Sequence, residues 1–196
     1  TLLDAVQQNK IATGDVDPSR WKLLVEHPRE DLRKRAVAVV GQTQTSRRGE
    51  IVEAYKDTLK MDGDALRGKE VFKKVCAACH QVQGVGHPTG PNIASIKTRG
   101  MDALLLNVLD PNREVNPLYL NYSVVTNDGR TLSGMISAET ATSVTLKRAD
   151  NASDTVLRID IDVMRSTGLS LMPEGLEKQI DKQAMADLIA YFKSVD

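Results

Sequence analysis

The chain has 196 residues, enough for one or two domains with a real apolar core. Hydrophobic residues make up 41% and aromatic residues 4%, which suits an aliphatic core or one built partly around a cofactor. The 26 basic residues balance 26 acidic ones, which argues against a dedicated nucleic-acid binder, and no apolar run approaches the ~20 residues that span a bilayer, so no transmembrane segment is expected.

The start, Thr1-Leu2-Leu3-Asp4, has neither the basic residues nor the apolar stretch of a secretory leader. The chain therefore reads as a mature protein or a piece of a longer one. Residues 1–62 read as helical. Leu2 to Val6 opens one helix, and Gly14 with Pro18 breaks the chain after it. Ser19 to Glu26 predicts a second short helix, ending at His27-Pro28 because a residue before proline resists the helical region. Leu32, Ala36, Val39 and Val40 recur at helical spacing, and Ile51, Ala54, Tyr55 and Leu59 do so again. Helix pairs of this size suggest the end of a helical-repeat array.

Met61 to Asp64 reads as a boundary, with Asp64 an N-cap for a helix over Ala65 to Val75. Residues 81–100 contain Gly84, Gly86, Pro88, Gly90, Pro91 and Gly100 and read as loop. Met101 to Leu109 is a helix stopped by Asp110-Pro111. From Leu118 the period changes to two, with Asn127-Asp128-Gly129 a hairpin signal. Four strands follow in a predicted antiparallel meander over about 118–162. Asp181 to Val195 closes the chain as a helix with Met185, Leu188, Ile189 and Phe192 on one face.

Both cysteines lie in one run, Cys76-Ala77-Ala78-Cys79-His80, the pattern of covalent c-type haem attachment. On a helical turn, positions three and four apart share a face. Two thiols and an imidazole then point the same way, the thiols toward the haem vinyl groups and the imidazole toward the iron. Three readings compete. A thioredoxin-like dithiol wants a strand before the motif, a zinc site wants a fourth ligand, for which the chain offers only His27, His87 or carboxylates, and a plain disulfide leaves His80 incidental. For the other axial position, Met172 in Ser170-Leu171-Met172-Pro173 is the leading candidate, because a thioether is a soft ligand suited to haem iron. Met164 and His87 are alternatives. Met61, Met101, Met135 and Met185 are assigned to packing. The Pro91 carbonyl in Gly90-Pro91-Asn92 is a candidate acceptor for the second ring nitrogen of His80, or the segment is a simple turn.

Gly68-x-x-x-Phe72-x-x-x-Cys76, Thr89-Gly90-Pro91-Asn92-Ile93, Met172-Pro173 and Leu188-Ile189-Ala190-Tyr191-Phe192 together resemble the class I c-type cytochromes. The resemblance implies a Pro91 carbonyl that accepts from the haem-ligating His80. It also implies a distal Met172 and a C-terminal helix that crosses the first helix at Gly68, close to Tyr191. Taking Leu118–Asp162 out of Ala65–Asp196 leaves the length of a small cytochrome c, so the β segment reads as an insertion. With Leu109-Asp110-Pro111-Asn112-Arg113-Glu114-Val115-Asn116-Pro117, Asn127-Asp128-Gly129 and Ser170-Leu171-Met172-Pro173-Glu174-Gly175-Leu176, the chain is similar to the haem-binding C-terminal module of planctomycete and verrucomicrobial proteins.

The expected fold class is therefore mainly α. A repeat-like helical segment, 1–62, precedes a cytochrome c domain, 63–196, which holds the four-stranded meander at about 118–162. The expected function is electron transfer by one covalently bound haem c, without enzymatic turnover of its own, as a free carrier or as the cytochrome module of a larger dehydrogenase. Its partners would be a dehydrogenase donor and a downstream acceptor. The rival is a haem sensor or peroxidase with a labile distal ligand. Because thiols receive haem outside the bacterial cytoplasm, a periplasmic or otherwise extracytoplasmic location is expected. Arg29, Arg33, Lys34, Arg35, Arg47 and Arg48 could steer an acidic partner, or form a solvated helix face balanced by Glu26, Glu30 and Asp31.

Overall fold

Local signals explain most of the helices in the computed structural model, which describes residues 1–8, 10–11, 16, 18–44 and 48–195. The predicted break at Gly14, and Arg47 of the basic stretch, lie outside the described residues. Thr1 caps α1 (Leu2–Gln7) through a reciprocal pairing with Asp4. Helices α2 (Pro18–Val25) and α3 (Glu30–Gln44) follow. Val6, Val16 and Val39 form a small cluster with Leu2, Ile11 and Trp21 packed on it. Helix α4 (Gly49–Tyr55) runs into a 3-10 turn, Lys56–Leu59. Ile51, Val52, Tyr55 and Leu59 pack against the main core instead of that small cluster.

Asp64 accepts from the backbone N–H groups of Leu66 (2.8 Å) and Arg67 (2.9 Å) and so starts α5 (Ala65–Val71). The helix continues as one wider π turn, Phe72–Cys76, that delivers the chain to the cysteine motif. The long C-terminal helix α7 (Lys182–Ser194), capped by Asp181, lies across α5. Its inner face puts Met185, Leu188, Ile189 and Phe192 into a core shared with Phe72 and with Leu104, Leu105, Val108 and Leu109 of α6 (Met101–Leu109). Phe72, Tyr191 and Phe192 meet at ring-centroid distances of 5.5–6.0 Å, the spacing aromatic rings favour.

The α5–α7 crossing carries one buried carboxylate. Asp187 accepts from Arg67 Nε (2.7 Å), from the Asp64 backbone N–H (2.8 Å) and from Gln183 (3.1 Å). The Arg67 guanidinium is the main cause that holds its carboxyl down to about 2. A carboxyl whose folded pKa is lowered stabilises the fold above its unfolded pKa, here 3.8, and the benefit is lost as pH falls toward 2. Arg67 is 60% exposed, so water screens the pair and the contribution is about 1–2 kcal/mol. Urea unfolding of Asp187→Asn should show that deficit from pH 5 to 7 and little of it near pH 2.

The expectation of a mainly α fold is wrong. The chain is about 47% helix and 23% strand, with a five-stranded antiparallel sheet and a two-stranded ribbon. The ribbon pairs β1 (Gln81–Val82) with β2 (Val85–Gly86), within a segment that reads as loop in the sequence. A 3-10 helix, Ile93–Arg99, adds further structure to that segment. In the large sheet, β3 (Leu120–Thr126), β4 (Thr131–Glu139), β5 (Ser143–Lys147) and β6 (Ser153–Leu157) form the meander. A fifth strand, β7 (Ile161–Ser170), then returns to pair with β3, so the order is β6-β5-β4-β3-β7.

The fifth strand has no clean apolar alternation. Beyond Ile161 and Met164, its inward positions, Ser166, Gly168 and Ser170, are small or polar. An edge strand pairs on one side only and needs no apolar face to hold its place. Val124, Val144 and Leu146 give the sheet a small core of its own. Leu120 pairs with Ser170, and the Leu171 N–H donates to the Tyr119 carbonyl at 3.0 Å. The chain therefore enters the sheet and leaves it side by side, at the start of β3 and the end of β7.

Candidate functional site

Helix geometry carries Cys76 to the end of the π turn, and the His80 N–H returns to the Cys76 carbonyl at 2.9 Å. This tight turn turns the half-buried Cys79 and the buried His80 back beside Cys76. Both thiols are free. Burial pushes the Cys76 thiol up to about 12, with the neighbouring Cys79 adding to the effect. Cys79 is raised as well, by burial and then by the nearby Asp150. A redox dithiol needs the opposite, a thiol that ionises easily. A helix, not a strand, precedes the motif. Among the described residues, no group of three or more His, Cys, Asp and Glu side chains could hold a metal ion. These facts weigh against the dithiol and zinc readings.

His80 is held on one edge by the Pro91 carbonyl, 2.9 Å from Nδ1. A carbonyl can only accept, so Nδ1 carries the proton and Nε2 keeps its lone pair. Burial lowers the basicity of the ring, while the hydrogen bond to Pro91 acts the other way. A neutral imidazole with Nε2 free is the ligating form. Gly90 lets the backbone press against the ring: a Cβ there would lie 2.5 Å from His80 Cε1 and 2.8 Å from Nδ1. The loop is further pinned by N–H bonds from Thr89 to the Cys79 carbonyl (3.1 Å) and from His87 to the Ala77 carbonyl (2.9 Å).

The three candidates for the second axial position fall in different places. Met172 packs half-buried against the main core, the cluster that also takes in Cys76 and Ala77. Met164 lies on β7 opposite Val124 and packs into the separate core of the sheet. His87 is exposed. Of the methionines assigned to packing, Met101 belongs to α6, Met135 to β4 and Met185 to α7. Met61 departs from that assignment, standing outside any helix at 37% exposure.

Some contacts of the site's neighbours are not assigned from the sequence. Asn112 bridges the Met172 loop, accepting from the Ser170 N–H (2.7 Å) and donating to Glu174 (2.7 Å). The turn after β5 reaches the cysteine motif, where the Asp150 N–H donates to the Ala78 carbonyl at 2.6 Å. The basic stretch, in contrast, is largely neutralised. Arg29 pairs with Asp31, Lys34 with Glu30, Arg35 with Asp4, and Arg48 with Glu177. Arg33 donates to the His27 carbonyl. Of the acids expected to balance this face, Asp31 and Glu30 are paired, while Arg33 keeps its charge because a carbonyl does not neutralise it.

No helix among the described residues is long and apolar enough to cross a membrane. The cytochrome c of Guizotia abyssinica is 53% identical over 32 residues, a stretch that covers 16% of this chain and 29% of that protein. The cytochrome c family model matches residues 65–196, well over half of the chain. A buried His80 beside two free cysteines, just after a helix that α7 crosses, agrees with that match: the chain belongs to the cytochrome c family, electron carriers with covalently attached haem c.

Proposed function

We propose that the haem is attached through thioethers to Cys76 and Cys79, with His80 and Met172 as its axial ligands and the Pro91 carbonyl orienting His80. When bound, the haem iron supplies the one-electron ferrous–ferric couple. The carrying observation is the His80 ring, buried and fixed by Pro91 on Nδ1, with no hydrogen bond to Nε2 among the described residues. Cys76, Cys79 and His80 follow one another on a single turn, as the attachment chemistry requires. Met172 supports the distal assignment because it joins the cluster that holds Cys76, which Met164 and His87 do not. The chain's own role is to fix the ring of His80, to present a thioether opposite it, and to bury the couple so that its potential rises.

The donor is a dehydrogenase, separate or fused to this chain, and a second carrier accepts the electron. The unit is 63–196, preceded by the helical segment 1–62, in the manner of the planctomycete and verrucomicrobial module. Its location is periplasmic or otherwise extracytoplasmic, where thiols are joined to haem. The test is intact mass with a pyridine haemochrome spectrum, on protein made in a maturation-competent host. One haem per chain is expected. Cys76→Ala should keep a single thioether and shift the haemochrome band. Colourless protein with the mass of the polypeptide alone would refute the proposal.

A further inference from the structure

The inserted sheet touches the candidate haem site at two separate places. At one end, the turn after β5 grips the His80 loop. The Asp150 N–H donates to the Ala78 carbonyl at 2.6 Å, the buried Thr89 hydroxyl donates to the Arg148 carbonyl at 3.2 Å, and Lys147 donates to the Pro88 carbonyl at 2.9 Å. Asp150 and Asn151 reach this geometry with φ of 57° and 60°, a left-handed pair that Asp and Asn accept more readily than most residues. At the other end, β7 leads directly into the Met172 loop. Leu171 is tied to Tyr119. Asn112 spans the loop from Ser170 to Glu174, and the Met172 N–H donates to Ser170 Oγ at 3.1 Å. Between these ends the strands β5, β4, β3 and β7 are neighbours in one sheet, β4 pairing with β3 along Thr131–Gly134 and with β5 along Met135–Glu139, with register shifts at Ile136/Ala138, Leu120/Tyr122 and Val125/Thr126.

We propose that the inserted sheet is a bracket that holds the His80 loop and the Met172 loop at a fixed separation, with Asn112 as the positioning residue on the Met172 side. This rests on His80 and Met172 being the axial ligands. The bracket keeps the thioether on the iron against competing ligands. Its loss lets the Met172 loop swing away.

The test uses the holoprotein. Added imidazole competes for the position of Met172, and its affinity reads how firmly that loop is held. Asn112→Ala removes both hydrogen bonds across the loop and should raise imidazole affinity about tenfold. Glu174→Ala, at an exposed position, removes one of them and should raise it about threefold. Glu174→Ala keeps the test valid even if Asn112→Ala fails to fold. The proximal grip is read separately in a Met172→Ala background, where Thr89→Val should shift the iron–imidazole stretching band of the ferrous protein. If Met172→Ala itself leaves the spectrum unchanged, the axial assignment fails and takes the bracket with it. If Met172→Ala changes the spectrum while Glu174→Ala binds imidazole as tightly as the parent, the axial assignment stands and the bracket is overturned.

Discussion

Met172→Ala should remove the sulfur-to-iron charge-transfer band of the ferric protein, convert it to a high-spin spectrum at neutral pH, and lower the midpoint potential by on the order of 100 mV. The sign follows from ligand softness. A thioether favours the ferrous iron over the ferric, so its loss removes stabilisation from the reduced form. Met164→Ala is the control. That side chain packs among Val124, Val144 and Leu146, so its loss should cost about 2 kcal/mol of stability and leave the spectrum alone. His87→Ala, at an exposed position, should change neither. Optical and magnetic spectra with a redox titration decide the matter. An unchanged Met172→Ala spectrum would leave the distal position open and favour a sensor or peroxidase.

Gly68→Ala should be the most damaging single-methyl change for stability, at about 3 kcal/mol or more. A Cβ at this position would lie 1.9 Å from the Asp187 carbonyl oxygen, 2.5 Å from its carbon and 2.8 Å from the Tyr191 Cβ. The first two are backbone atoms of a helix and cannot rotate aside, so α7 would have to move off α5. That shift would open the cluster of Phe72, Tyr191 and Phe192 and weaken the hydrogen bonds that Asp187 makes to Arg67 and Asp64. Replacing glycine in a helix interior normally gains about 1 kcal/mol, so the expected sign is the reverse of the intrinsic one. A chain of this size loses roughly 2–4 °C of Tm per kcal/mol, so the holoprotein should melt about 10 °C lower. A Tm equal to the parent's would show that α7 has room to yield.

Read alone, the sequence was most informative where the information is local. Cys76, Cys79 and His80 stand three and four residues apart, so one helical turn decides their common face. The caps at Asp64 and Asp181 rest on contacts two or three residues away. The strand β3 and the turn at Asn127-Asp128-Gly129 follow from alternation and backbone preference. The fold class was misjudged for a physical reason. The edge strand β7 carries Ser166, Gly168 and Ser170 on its inner positions, and only the partner strand β3 makes those residues a strand.

The attachment motif, the helices that frame it and the meander were therefore determined by the sequence itself, because each depends on neighbours within a few residues. Tertiary structure alone decided the remaining features. These are the fifth strand, the choice of Met172 over Met164 as neighbour of the Cys76 cluster, the Asn112 strap across that loop, and the Asp150 contact with Ala78. Each joins groups 35 to 72 residues apart along the chain or depends on which of two apolar clusters a side chain enters. No periodicity encodes such a choice, since it is made by the shape left when helices and sheet close on each other.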